Sequence, residues 1–103
     1  MKTETIARIL LFSTERNLDQ FHTPAKLEKS ISIEVNKLLE CFQWNDKDYY
    51  DLVSVKEELA DMMVLCNNML DTLGLDADAI ISVKMDQNEV MYVIQKCRGS
   101  NRK

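Results

Sequence analysis

Acidic side chains interrupt the apolar faces of two amphipathic segments. In the first segment, apolar residues recur at spacings of three and four, and Glu34 falls within that stripe between Ile31 and Leu38. In the second, Glu58 and Asp61 fall within a similar stripe, which runs through Val55, Met62, Leu65 and Met69. An ionised carboxylate that loses its hydration without gaining a partner is strongly destabilising. We therefore expect a cation, or a set of hydrogen-bond donors, between the two segments.

The acid spacing favours a hard divalent cation. Glu58 and Asp61 stand three residues apart, so on a helix they project from the same face and can share one ion. Oxygen ligands on rigid helices suit Mg²⁺ or Mn²⁺ better than zinc. The Glu58 and Asp61 spacing alone is common on solvated helices, but Glu34 on a facing helix makes a metal site the favoured interpretation.

Four further residues carry groups that could contact a ligand. Lys84 and Asn88 interrupt the apolar stripe of a later segment with hydrogen-bond donors that suit phosphate oxygens, although Lys84 could equally neutralise buried acid. Trp44 could stack on a base, and His22 could act as a base catalyst. From the residues alone, a core role for Trp44 and a connector role for His22 are the favoured interpretations.

The elements that position these residues are predicted to be helices. The chain has only 2 Gly and 1 Pro in 103 residues, and its long segments show helical periodicity. Four helices are predicted: from about Thr3 to about Leu18, from Pro24 to about Gln43, from about Asp51 to Leu73 before Gly74, and from an Asp76 cap to about Val93. We expect one all-α domain over residues 1–103, a four-helix bundle. Because so short a chain buries a modest core, self-association should complete it.

Composition narrows the function classes. The formal net charge of -4 argues against binding a nucleic-acid polymer, which needs a basic stripe. The 3 Cys are widely separated, so neither a disulfide framework nor a thiolate zinc site is predicted, and Cys41 and Cys66 are expected to be core residues. We see no leader and no apolar run long enough for a membrane span, so a cytoplasmic location is expected.

Short motifs follow one another from about Phe21 to Ser100. They are Phe21-His22-Thr23-Pro24, Ser32-Ile33-Glu34 with Leu38-Leu39-Glu40 and Phe42-Gln43-Trp44, Glu57-Glu58-Leu59-Ala60-Asp61, Lys84-Met85-Asp86 with Asn88 and Tyr92, and Arg98-Gly99-Ser100. In order and spacing they resemble the MazG-like nucleotide pyrophosphohydrolases, including the compact relatives of dCTP pyrophosphatase. Each motif is degenerate, but together in register they are specific.

The resemblance implies an all-α fold in which paired chains complete bundles and assemble as dimers or tetramers. It implies Mg²⁺-dependent cleavage, with Mn²⁺ as a substitute, of nucleoside triphosphates, most typically dNTPs, to the monophosphate and pyrophosphate, which clears unwanted nucleotides. It also assigns residue roles: metal binding and catalysis to Glu34, Glu58 and Asp61, phosphate contacts to Lys84 and Asn88, and nucleoside contacts to Trp44 and His22. These assignments replace the core interpretation of Trp44 and the charge-neutralising interpretation of Lys84.

One position departs from the family pattern. The family's metal motif has a second Glu three residues after the first, and Lys37 stands there in this chain. Lys37 could pair with Glu34 or Asp61 in place of a metal. It could instead turn outward and leave three carboxylates holding one Mg²⁺ with reduced affinity, or it could contact a substrate phosphate directly. We favour the outward orientation.

The sequence is also compatible with two other functions. One is a catalytically impaired homologue that binds nucleotide or regulates, because a metal ligand has been lost. The other is a purely structural helical module whose acids are solvated, which would place Glu34 and Asp61 in bulk water on opposite sides.

Overall fold

The computed structural model describes residues 1–43 and 50–94. Within them the chain forms four α-helices and one short 3₁₀ helix. In chain order these are α1 (Thr3–Glu15), the 3₁₀ helix (Leu18–Phe21), α2 (Pro24–Gln43), α3 (Leu52–Leu73) and α4 (Ala77–Met91). The all-α class is confirmed. No helix in the described ranges combines the length and the hydropathy needed to cross a bilayer.

The helix ends follow from local chemistry at most of the predicted positions. The Thr23 hydroxyl accepts a hydrogen bond from the Lys26 N–H at 3.3 Å, just before Pro24 begins α2. Asp51 caps α3 by accepting from the Val53 N–H. At the other end of α3, Gly74 adopts φ +67°, where a side chain would be strained. Asp76 caps α4 by accepting from the Ala79 N–H at 2.9 Å.

The first helix ends earlier than predicted. It stops at Glu15 rather than near Leu18, because Asn17 adopts the left-handed conformation with φ 55°. A left-handed residue cannot continue a right-handed helix, and Asn tolerates that conformation better than most residues. The segment between α1 and α2 contains the 3₁₀ helix Leu18–Phe21.

The main packing unit is the pair formed by α2 and α3; α2 contributes the buried Leu27 and α3 the buried Val55. The two helices run antiparallel. The Thr72 hydroxyl near the end of α3 donates to the His22 carbonyl oxygen just before α2, at 3.3 Å. Helix α1 packs more lightly on α3 and buries Ser13. This antiparallel pair is the scaffold on which the acidic residues are placed.

Helix α4 does not close a bundle within one chain. Its predicted inward stripe is exposed, with Ile81 57% and Met91 67% accessible, and the helix packs little against the others. The radius of gyration is 17.1 Å, whereas a compact domain of this length would have about 13 Å. The expectation that α4 turns this face inward is wrong for the single chain. Cys66, also expected in the core, is exposed.

Candidate metal centre

Three carboxylates from two facing helices meet at one point. Glu34 lies in the middle of α2, and Glu58 and Asp61 lie one turn apart in the first half of α3. One oxygen from each lies within 4.8 Å of the others. Glu34 and Glu58 are half-buried, while Asp61 is exposed. Because Glu34 and Asp61 lie together, the interpretation of acids solvated on opposite sides of a structural module is wrong.

The two half-buried acids retain oxygens without hydrogen-bond partners. Among the described residues, Oε2 of Glu34 and Oε2 of Glu58 are shielded from solvent and accept no hydrogen bond. Buried acceptors of this kind are uncommon, because they lose hydration without replacing it. A divalent cation would satisfy both oxygens at once. The observed donor set therefore fits a hard metal ion.

The pKa values of these acids show how closely they interact. The close approach of the Glu34 carboxyl group raises the pKa of Glu58, and partial burial and the negative charge of Glu34 raise that pKa further. The close approach of Glu58 lowers the pKa of Glu34, and Lys37 lowers it as well. The opposite directions of the two pKa shifts reflect the repulsion between adjacent carboxylates, which a bound cation would relieve.

Lys37 pairs with the cluster. Its Nζ donates to Oε1 of Glu34 at 3.3 Å, across one turn of α2. That hydrogen bond and the charge of Glu34 raise the pKa of Lys37, with smaller contributions from Glu58 and Asp61. The favoured outward orientation of Lys37 is therefore wrong, although half of its side chain remains exposed at 52%. The three acids nevertheless stay together.

A polar cleft of about 510 Å³ opens beside the cluster. It is lined by Lys37, Glu40, Cys41, Asp51, Ser54 and Glu58. Asp51 accepts from the Val53 N–H and from the Ser54 hydroxyl, so its oxygens are occupied in capping α3. Because Glu58 belongs to the acid cluster and Lys37 pairs with Glu34, this cleft reaches the candidate metal centre.

The MazG-like family model matches residues 29–103, which is most of the chain. The chain belongs to the MazG-like family. A crystal structure of a pyrophosphatase from Archaeoglobus fulgidus superposes on this MazG-like chain with a TM-score of 0.80 and 30% identity, covering 87% of this chain and 90% of that one. The all-α MazG-like fold is therefore shown both by the family match and by a solved structure.

Curated relatives of this MazG-like chain are mammalian. dCTP pyrophosphatase 1 of Bos taurus is 29% identical over 97 residues, which cover 86% of this chain and 57% of the relative. The human protein of the same name is 29% identical over 100 residues, which cover 89% of this chain and 59% of the human protein. The chain therefore spans less than two thirds of the length of these relatives.

Of the other predicted site residues of the MazG-like chain, His22 lies apart from the acids. His22 pairs with Asp19 at 3.8 Å and contacts Thr72, which is 11 residues beyond Asp61 and so about 16 Å along α3. Lys84 is exposed and Asn88 half-buried, both on α4. Among the described residues, the charges that shift the pKa values at the cluster do not include His22 or Lys84. Trp44 lies outside the described residues.

Two polar residues that the sequence analysis did not single out are buried in α3. Asn67 and Asn68 are 9% and 6% exposed. Within the described part of the chain, Nδ2 of Asn67 and Oδ1 of Asn68 have no hydrogen-bond partner. Their signal in the sequence is a polar pair inside an otherwise apolar stretch from Met62 to Leu70.

Proposed function

We propose that this chain is a Mg²⁺-dependent nucleoside triphosphate pyrophosphohydrolase, which acts on dNTPs and releases the monophosphate and pyrophosphate. The observation that carries the proposal is the meeting of three carboxylates from facing helices with two buried oxygens left without partners. The MazG-like family and relatives named as pyrophosphatases support the reaction class.

Glu34, Glu58 and Asp61 would hold the metal ion, with Mn²⁺ as a substitute for Mg²⁺. Their rigid helical positions provide carboxylate oxygens, and substrate oxygens and water would complete the shell. A bound Mg²⁺ supplies charge neutralisation at the phosphates and a more acidic water. Asp61 is the exposed member of the cluster and could be reached by a phosphate chain from solvent, while Glu34 and Glu58 are half-buried.

Lys84 and Asn88 are proposed phosphate contacts, and His22 and Trp44 are proposed nucleoside contacts. Because α4 packs little on its own chain and exposes its apolar stripe, we propose that copies of the chain pair and bury it. Pairing would also bring Lys84 and Asn88 from one copy to the acids of another. The functional unit is then a homo-oligomer, a dimer or a tetramer, whose nucleotide site is shared.

Co-expression of Asp61→Asn with Lys84→Ala tests this sharing. Each variant alone should lose activity, by at least about tenfold for Lys84→Ala. If Asp61 and Lys84 of one site come from different copies, mixed pairs contain one intact site, and random pairing recovers about a quarter of the wild-type rate. If both residues of a site come from the same copy, no intact site can form, and a mixture that stays inactive would refute the shared site. In the control, Asp61→Asn is co-expressed with Lys29→Ala, which removes a lysine that is not a proposed phosphate contact.

A screen of triphosphates with Mg²⁺ or Mn²⁺, read by pyrophosphate release, tests the reaction itself. The expected result is release of pyrophosphate from one or more dNTPs, with inorganic phosphate no higher than in the blank. The Lys37 to Glu34 ion pair favours a second candidate function, a nucleotide-binding homologue without turnover. Binding of dNTPs seen by calorimetry, without pyrophosphate release, would support that second function instead.

Metal affinity should fall as the pH falls. The pKa of Glu58 is raised above its ordinary 4.5, so Glu58 takes up a proton earlier than an ordinary carboxyl group as acid is added. A proton on Glu58 competes with the ion, so the dissociation constant for Mn²⁺ should rise between neutral pH and about pH 5. Calorimetry in two buffers of different ionisation enthalpy measures the released proton. Glu58→Gln should remove that proton release, and an unchanged release would contradict the assignment.

A further inference from the structure

Lys37 and a metal ion can bind the cluster at the same time. The Nζ of Lys37 uses only Oε1 of Glu34, at 3.3 Å. Oε2 of Glu34 and Oε2 of Glu58 remain without partners among the described residues. An ion placed between those two oxygens and Asp61 would therefore not displace the ammonium, because the two cations use opposite oxygens of the same carboxylate.

The charges balance with one ion and Lys37 together. The three carboxylates carry three negative charges when all are ionised, and one divalent ion with one ammonium neutralises them. In two-metal phosphoryl-transfer sites the ions lie about 4 Å apart. The ammonium of Lys37, 3.3 Å from Oε1 of Glu34, already places a positive charge at this carboxylate, where a second ion would have to bind. Repulsion at so short a distance disfavours the second ion.

The position of Lys37 also suits phosphate binding. Its side chain lines the polar cleft beside Glu58 and remains 52% exposed, so the ammonium is accessible from the cleft. An ammonium has three donors, of which Glu34 uses one, so two can reach a ligand in the cleft. A phosphate chain bound to the ion would therefore find a second positive group within the same cleft.

We propose that Lys37 takes the place of a second divalent ion, so that the centre binds one metal ion and Lys37 supplies the other positive charge to the substrate phosphates. This inference rests on the proposed function, because it needs the metal centre. In this proposal Lys37 binds substrate phosphate, and its presence does not indicate that activity has been lost.

Calorimetric titration with Mn²⁺ alone measures how many ions each chain binds. The wild-type chain should bind one ion, and Lys37→Glu should bind two, because the change removes the ammonium and adds a ligand. Lys29→Glu makes the same charge change on α2, about 12 Å away, and should still bind one ion. Two ions on the wild-type chain, or one on Lys37→Glu, would overturn the inference. Absence of Mn²⁺ binding to the wild-type chain would overturn the metal centre as well, so the two failures are distinguishable.

Lys37→Gln gives a second, independent measurement that does not require a new ligand. Inorganic tripolyphosphate, titrated in the presence of saturating Mn²⁺, should bind about tenfold more weakly to Lys37→Gln than to the wild-type chain. Mn²⁺ without tripolyphosphate should bind more tightly to Lys37→Gln than to the wild-type chain, because the substitution removes a positive charge that repels the ion. Equal tripolyphosphate affinity for the two proteins would refute the phosphate contact, and circular dichroism checks that each variant is folded.

Discussion

Asp61→Asn is expected to reduce pyrophosphate release by at least about a hundredfold, while the oligomer stays intact. Asp61 is the exposed member of the cluster, with an oxygen within 4.8 Å of the oxygens of Glu34 and Glu58. An amide has the same shape as a carboxylate but no charge, so it binds a hard cation weakly. Steady-state pyrophosphate release measures the loss, and size-exclusion chromatography measures the assembly.

Asp71→Asn is the matched control for this change. It makes the same substitution in the same helix, 10 residues further on and about 15 Å away along α3. Its activity should equal that of the wild-type chain. Comparable activity in Asp61→Asn and Asp71→Asn would show that Asp61 does not bind the catalytic metal. Loss of the oligomer in Asp61→Asn alone would instead place Asp61 in the assembly contact.

Removing divalent ions should abolish the activity completely, and adding Mg²⁺ should restore it. Without a metal ion, the acids of the cluster repel each other and the substrate phosphates, and the ion pair of Lys37 with Glu34 offsets only one of their charges. Dialysis against a chelator, followed by Mg²⁺ titration of pyrophosphate release, measures the effect. Activity that survives chelation would contradict a metal-dependent mechanism.

The same ion should stabilise the fold. Because Mg²⁺ binds the folded state, saturating Mg²⁺ should raise the Tm by about 5 °C or more. Asp61→Asn should lose most of that rise, since it lacks one of the three acids. NaCl at equal ionic strength is the control for screening of surface charge. An equal rise in wild type and Asp61→Asn would place the stabilising ion elsewhere.

The helices and the acid cluster could both be predicted from the sequence, because each has a local cause. Pro24 and Gly74 mark helix ends through backbone geometry that few other residues share. Glu34 and Asp61 interrupt apolar stripes, and two helices close together in the sequence tend to pack along such stripes. The structure accordingly brings these acids within 4.8 Å.

Two other features could not be predicted, for different reasons. Lys37 has a long side chain with several rotatable bonds, so the sequence is compatible both with its pairing to Glu34 and with an outward orientation. The second feature is the partner of helix α4. Periodicity identifies its apolar face, but it does not say whether the same chain or another copy covers that face.

All three acids come from a single antiparallel pair of helices, α2 and α3. A site divided among many elements would change whenever one of them moved. Here the three proposed metal ligands depend on the packing of α2 against α3, and α1 and α4 supply none of the three. Under the proposed function, changes in α1 and α4 could alter the nucleotide preference without rebuilding the acid cluster.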